Sequence, residues 1–170
     1  MISLRHFAVA ALLPLAVAGC DGITASLPEH GPPEELEFST AGFGGTSARV
    51  TLRGDTVMLT RAPWERGPGT VADTVRAVPD AAAWRQFWRA AESSGVERWK
   101  RRYMAENIAD GVGWGLRIVV DGETIESGGS NAFPDRDGRE HENRETPEYR
   151  AFVDALGALV GRRIEGAPGS

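Results

Sequence analysis

The sequence predicts one α+β domain: an antiparallel sheet of about six strands with two helices packed on one face. Three observations carry that prediction. Residues Gly113–Asp135 hold two β-prone runs around Asp121-Gly122, a two-residue turn signal. Residues Arg49–Arg61 repeat the pattern around Gly54-Asp55. Asp80–Ser94 and Thr146–Val160 space their large apolar residues at the helical period.

From Leu36 the chain alternates, with Leu36, Phe38 and Thr40 on one side and Glu37 and Ser39 on the other. Gly42-Phe43-Gly44-Gly45 reads as a turn between strands. A phosphate-cradling loop needs a helix N-terminus beside it, and Thr46–Arg53 has strand character. In the hairpin around Gly54-Asp55, Val50 and Leu52 share a face with Val57 and Leu59. Gly at the first turn position suits a type II′ turn. Ala62–Thr70 is a loop anchored by Trp64, and Val71–Val78 is a weaker strand. Asp80–Ser94 forms a helix whose stripe is Trp84, Phe87, Trp88 and Ala91, opened by Pro79-Asp80 and closed by Gly95. Arg98-Trp99-Lys100-Arg101-Arg102-Tyr103 reads as an edge segment whose basic residues face water.

A two-residue turn at Asp121-Gly122 sets the register of the central hairpin. It pairs Val120 with Glu123, Ile118 with Ile125, Leu116 with Ser127 and Trp114 with Gly129 on the apolar face. Arg117 meets Glu126 on the opposite face, as a solvated face should show. Pro134–Glu145 is expected as a solvated loop of mixed charge. Counting Asp135 as the first position of a calcium loop puts Thr146 where the bidentate glutamate belongs, so that pattern fails. Thr146-Pro147-Glu148 opens the last helix, with Tyr149, Phe152, Val153, Leu156 and Val160 as its stripe and Gly161 at its end.

The chain has 170 residues, 41% hydrophobic and 25% charged, with a formal net charge of −5. That balance suits one globular domain and lacks the basic footprint of a nucleic-acid binder. The only cysteine, Cys20, follows a basic start at Arg5, an apolar run from Phe7 to Ala18, and Gly19. The run is far short of the ~20 residues a membrane-spanning helix needs. Val17-Ala18-Gly19-Cys20 resembles the lipobox of bacterial lipoproteins. The resemblance implies cleavage before Cys20, lipidation of its sulfur, and a cell-envelope location on the periplasmic or outer side, anchored to a membrane by lipid. The expected division is a signal peptide over 1–19, a lipidated Cys20 and flexible tether over 20–35, one α+β domain over 36–164, and a tail over 165–170.

Reactive constellations are sparse. No Gly-x-Ser-x-Gly elbow, Cys-x-x-Cys or dinucleotide fingerprint is present. His30 and His141, the histidines after Cys20, sit in polar loop-like segments, so neither a catalytic triad nor a metal site is expected, and no cofactor.

Asp110-Gly111-x-x-Trp114-x-Leu116-x-Ile118 followed by Ser127-Gly128-Gly129-Ser130-Asn131-Ala132-Phe133-Pro134 resembles a segment of an uncharacterised bacterial family. There, two strands lead into a Gly-Ser-Asn-Ala-Tyr/Phe-Pro element and a C-terminal helix. The likeness covers roughly residues 79–160 and implies no catalytic residue. Asp135–Glu145 is a longer charged insertion than that pattern carries. The candidate ligand-binding residues are Trp114, Ser130, Asn131 and Phe133. The expected function is therefore an envelope lipoprotein that binds a protein or small-molecule partner without catalysing a reaction. A carboxylate-dependent envelope hydrolase and a structural or inhibitory module are the alternatives.

Overall fold

A computed structural model describes residues 27–28, 31–42, 45–63, 73–106 and 111–164. Cys20, His30, Trp64 and the tail 165–170 lie outside the described residues. The fold is α+β, as expected. Its strands are β1 (Glu35–Gly42), β2 (Thr46–Arg53), β3 (Thr56–Pro63), β4 (Asp73–Ala77), β5 (Tyr103–Met104), β6 (Val112–Val120), β7 (Glu123–Ser130), β8 (Ala132–Pro134) and β9 (Glu140–Glu142). The helices are α1 (Ala81–Ser94) and α2 (Pro147–Leu159). Seven strands form the main sheet in the order β4-β3-β2-β1-β6-β7-β5, and β8 pairs with β9 in a second small sheet.

The hairpins follow from their turns. Asp121 and Gly122 both take positive φ, 51° and 75°, the mirror-image turn that matches strand twist. The β6–β7 register is the expected one at every position, from Val120↔Glu123 to Trp114↔Gly129, with Arg117 opposite Glu126. In the β2–β3 turn Gly54 has φ 62° and Asp55 is not left-handed, as a type II′ turn requires. Val50 faces Leu59 and Leu52 faces Val57.

Strands β1 to β4 grow outward as a meander, so the chain reaches one edge at β4. It must return across the sheet to reach β5 at the other edge. Six inter-strand gaps span ~29 Å, and α1, which lies in this connection, is ~21 Å long. Asp80 caps α1 by accepting the Ala83 N–H at 2.8 Å. Gly95 closes it in the left-handed conformation. Its stripe, Trp84, Phe87, Trp88 and Ala91, is buried. Thr146 caps α2 by accepting the Tyr149 N–H at 3.1 Å, with Pro147 in the first turn.

Both helices seat on one face. Phe38 of β1, the fourth strand of seven, lies 6.4 Å from Phe152 of α2, and Phe152 lies 5.9 Å from Phe87 of α1. Val50, Val57, Leu59, Ile118 and Phe152 are completely buried in this single core. Among the described residues, the other face of the main sheet carries no helix, and its charged residues are exposed.

Three expectations change. The seventh strand, β5, is two residues long and runs parallel to β7. Two residues are too few to show a strand period, but the basic edge is there: Lys100, Arg101 and Arg102 are exposed, whereas Trp99 and Tyr103 are buried. The strand expected over Val71–Val78 is present as Asp73–Ala77, with Val71 and Ala72 outside the described residues. The tether expected to run through residue 35 is already fastened at Gly31, whose carbonyl accepts the Trp88 indole N–H at 2.8 Å. Glu34 then donates its N–H to Val119 and accepts the Gly122 N–H through its carboxylate. The loop expected over Pro134–Glu145 is not a free loop, because β8 and β9 organise it. Turn carbonyls of Arg136 and Gly138 accept from the Arg98 side chain and the Tyr103 hydroxyl.

Candidate functional site

Trp114, Ser130, Asn131 and Phe133 converge, but three of the four point inward. The Trp114 indole is buried 5.0 Å from Tyr149 and 6.0 Å from Tyr103, and its N–H donates to the Ala132 carbonyl at 2.9 Å. Phe133 packs 4.9 Å from Tyr149. Asn131 takes φ 51°, and its side-chain oxygen accepts the Val112 N–H at 2.8 Å. The Asn131 carboxamide occupies the space a Cβ on Gly111 would need, at 1.7 Å. The two halves of the Gly-x-x-Trp and Ser-Asn-Ala-Phe-Pro pattern are therefore folded against each other. The side chains of Trp114, Asn131 and Phe133, expected as ligand contacts, are buried in the core. An alternating strand cannot put Trp114 on both faces, and its apolar ring takes the helix side.

Of the four, only Ser130 belongs to the opposite, open face. That face has a shallow trough of about 800 Å³ over the β1, β6, β7 and β5 strands. A second depression of about 490 Å³ adjoins it over β1, β2, β3 and β6, sharing Ser39, Trp114, Gly115 and Gly129. The floor is small because Ser39, Gly115 and Gly128 stand in one cross-strand row. Gly113 and Ser130 stand in the next row. A charged row borders the floor. Arg49 reaches Glu37 at 3.4 Å, Arg117 reaches Glu35 at 3.0 Å, and Arg101 reaches Glu126 at 3.0 Å. Met104, 45% exposed, closes the β5 end. The glycine pairing was written in the hairpin register. What that register could not show is that none of the described elements covers this face.

A second polar centre lies in the turn joining β8 to β9. Asp135 accepts the N–H groups of Asp137 and Arg139, each at 2.9 Å, through one oxygen. Its other oxygen meets His141 Nε2 at 3.1 Å. Partial burial pushes the Asp135 pKa up, but His141 and the two N–H groups outweigh it and hold the carboxyl below its ordinary value. Burial raises the Tyr103 phenol, the Lys100 N–H opposes that, and Asp135 and Glu140 add to it. Burial raises the Tyr149 phenol well above its ordinary value, aided by Glu145 and opposed by the Thr40 hydroxyl. Both phenols are therefore held neutral, as packing and hydrogen-bonding groups.

Among the described residues, no three histidine, cysteine or acidic side chains are grouped to hold a metal ion. Among the described residues the buried polar set is Thr40, Ser94, Ser127, Asn131 and Thr146, and one oxygen of Glu97 is buried as well. No described helix is long and apolar enough to cross a membrane. No known protein family, curated protein or solved structure matches the chain.

Proposed function

We propose that this chain is a lipid-anchored envelope protein whose uncovered sheet face is a binding surface for a partner. One observation carries the reading: the open face holds two adjoining depressions with a floor of glycine and serine and a border of exposed arginine and glutamate. A sheet face that only needed to be soluble would be served by long polar side chains throughout. Three glycines there leave backbone exposed and cost strand stability, which a close-approaching ligand would turn to use.

The anchor is supported by the lone Cys20 behind its short apolar run. A non-catalytic role is supported by the composition of the polar groups. Acid–base hydrolysis by carboxylates relies on burial to separate their pKa values, and the carboxylates bordering the trough are about half exposed.

The test uses intact cells. A photo-crosslinking residue at Ser39, in the trough, should give a covalent adduct that the same residue at Arg85, exposed on α1, does not. Cys20→Ser should move the protein from the membrane to the soluble fraction. Equal labelling at the two positions removes the binding face, and unchanged fractionation removes the anchor.

A further inference from the structure

The main sheet is finished differently at its two edges. At one edge β5 is two residues long and follows the exposed Lys100, Arg101 and Arg102. Its Met104 N–H is taken by the Glu140 carboxylate at 3.2 Å. A short strand, basic side chains and an occupied backbone group all keep a further strand from adding there. At the other edge β4 pairs through five residues with β3 alone. Among the described residues, no side chain or turn hydrogen-bonds the N–H and carbonyl groups that β4 directs away from β3. Val78, directly after the strand, is 64% exposed. Within β4 the residues alternate. Val75 and Ala77 stand opposite Leu59 and Val57 on the helix side and pack partly against the core. Thr74 and Arg76 stand opposite Thr60 and Met58 on the open side. The β4 edge is thus an extended, alternating template for one more strand.

We propose that β4 pairs antiparallel with β4 of a second copy of this chain, about a two-fold axis that passes beside Val75. An axis normal to the sheet keeps both helix layers on one side, and the two sheets become one. Val75 then faces Val75, Thr74 faces Arg76, and Asp73 faces Ala77. No like charges are opposed. The half-buried Val75 side chains meet across the axis and continue the apolar side of the sheet. Val78 lies diagonal to Thr74 of the second copy, within reach of its methyl group. Other registers fit less well. A centre at Arg76 sets two guanidinium groups against each other, and a centre at Thr74 sets Val75 against the Asp73 carboxylate. A closed pair fits better than an open row of copies, because joining β4 to β5 would need the Met104 N–H that Glu140 holds. A second copy also fits better than a free peptide. It brings a strand already extended and already alternating, so it loses less freedom on pairing. Five residues a side make a small interface, so the pair should exchange with monomer.

The full chain, purified in detergent, is followed by sedimentation velocity over a concentration series. The expected result is a reversible monomer–dimer equilibrium. Thr74→Arg sets arginine against Arg76 at both symmetry-related positions and should weaken the dimer about tenfold. Adding Arg76→Glu turns both oppositions into ion pairs and should restore it. Thr74 is half-buried on the open side, so the melting temperature of the monomer should stay close to that of the wild type. A photo-crosslinking residue in place of the exposed Arg76, in an otherwise unchanged chain, reads the contact independently. Its adduct should have twice the mass of the chain and join position 76 to the Asp73–Val75 segment of the second copy. Four results overturn the pairing: monomer at every concentration, a dimer indifferent to Thr74→Arg, no rescue by Arg76→Glu, or an adduct with another segment or another protein. If Thr74→Arg fails to fold, the crosslink decides alone.

Discussion

Asp135 shows how one side chain can organise a turn without a regular element. It accepts two backbone N–H groups and the His141 ring, so its ionised form is preferred in the fold despite partial burial. A carboxyl whose folded pKa lies below its unfolded value adds stability above the unfolded pKa, near 4 (~3.9). That stability is lost as pH falls through the folded pKa. Urea unfolding from pH 5 to pH 2.5 should therefore show the wild type losing more stability than Asp135→Asn, which lacks this titration. Parallel declines would mean that the three hydrogen bonds favour neither protonation state. The Asp135 arrangement was not legible beforehand. The sequence excludes Asp135 from a calcium loop, and nothing local in it says that His141, six positions on, folds back onto it. Trp114 was half legible: its face and its partner Gly129 followed from the turn, but its shielding from ligand by Tyr103 and Tyr149 did not.

The helices and hairpins came out where periodicity and turn chemistry placed them, since each depends on residues within a few positions of one another. The junctions between them are set by close approach. Gly95, at the end of α1, has φ 71°, and a Cβ there would stand 2.1 Å from the Arg136 carbonyl oxygen. Gly138 answers it from the other side, with the Arg98 carbonyl 2.3 Å from its own Cβ position. The α1 end and the β8–β9 turn are thus interlocked through backbone. Gly122 has a similar φ of 75° but open space around it. Gly122→Ala should cost only the left-handed penalty, about 1–2 kcal/mol. Gly95→Ala should cost clearly more, because the carbonyl must move as well. Equal losses of melting temperature in the two variants would show that the junction yields freely. Sequence marked Gly95 as a helix stop and Gly138 as part of a calcium-like loop, each for a local reason. Their shared function as a contact is a matter of tertiary approach.

The domain begins earlier than its first strand suggests. Gly31 and Glu34 are tied to α1, β6 and the β6–β7 turn, and Leu27 packs partly against the core. A version starting at residue 31 should be more stable in urea than one starting at residue 36, by about 1–3 kcal/mol, since the shorter one leaves the Trp88 indole donor without its partner. Matching midpoints would return residues 31–35 to the tether. Amino-acid order alone determined the fold class, both hairpin registers, the helix caps and the face each apolar residue takes, because all of these rest on short-range periodicity and φ preferences. Tertiary structure decided which sheet face the described helices cover, that the motif around Asn131 packs into the core, and that Arg49 of β2, Arg117 of β6 and the Arg101–Arg102 pair before β5 come to the same face. Those are sums over segments as far apart as Arg49 and Arg117, and only the strand order brings such segments side by side.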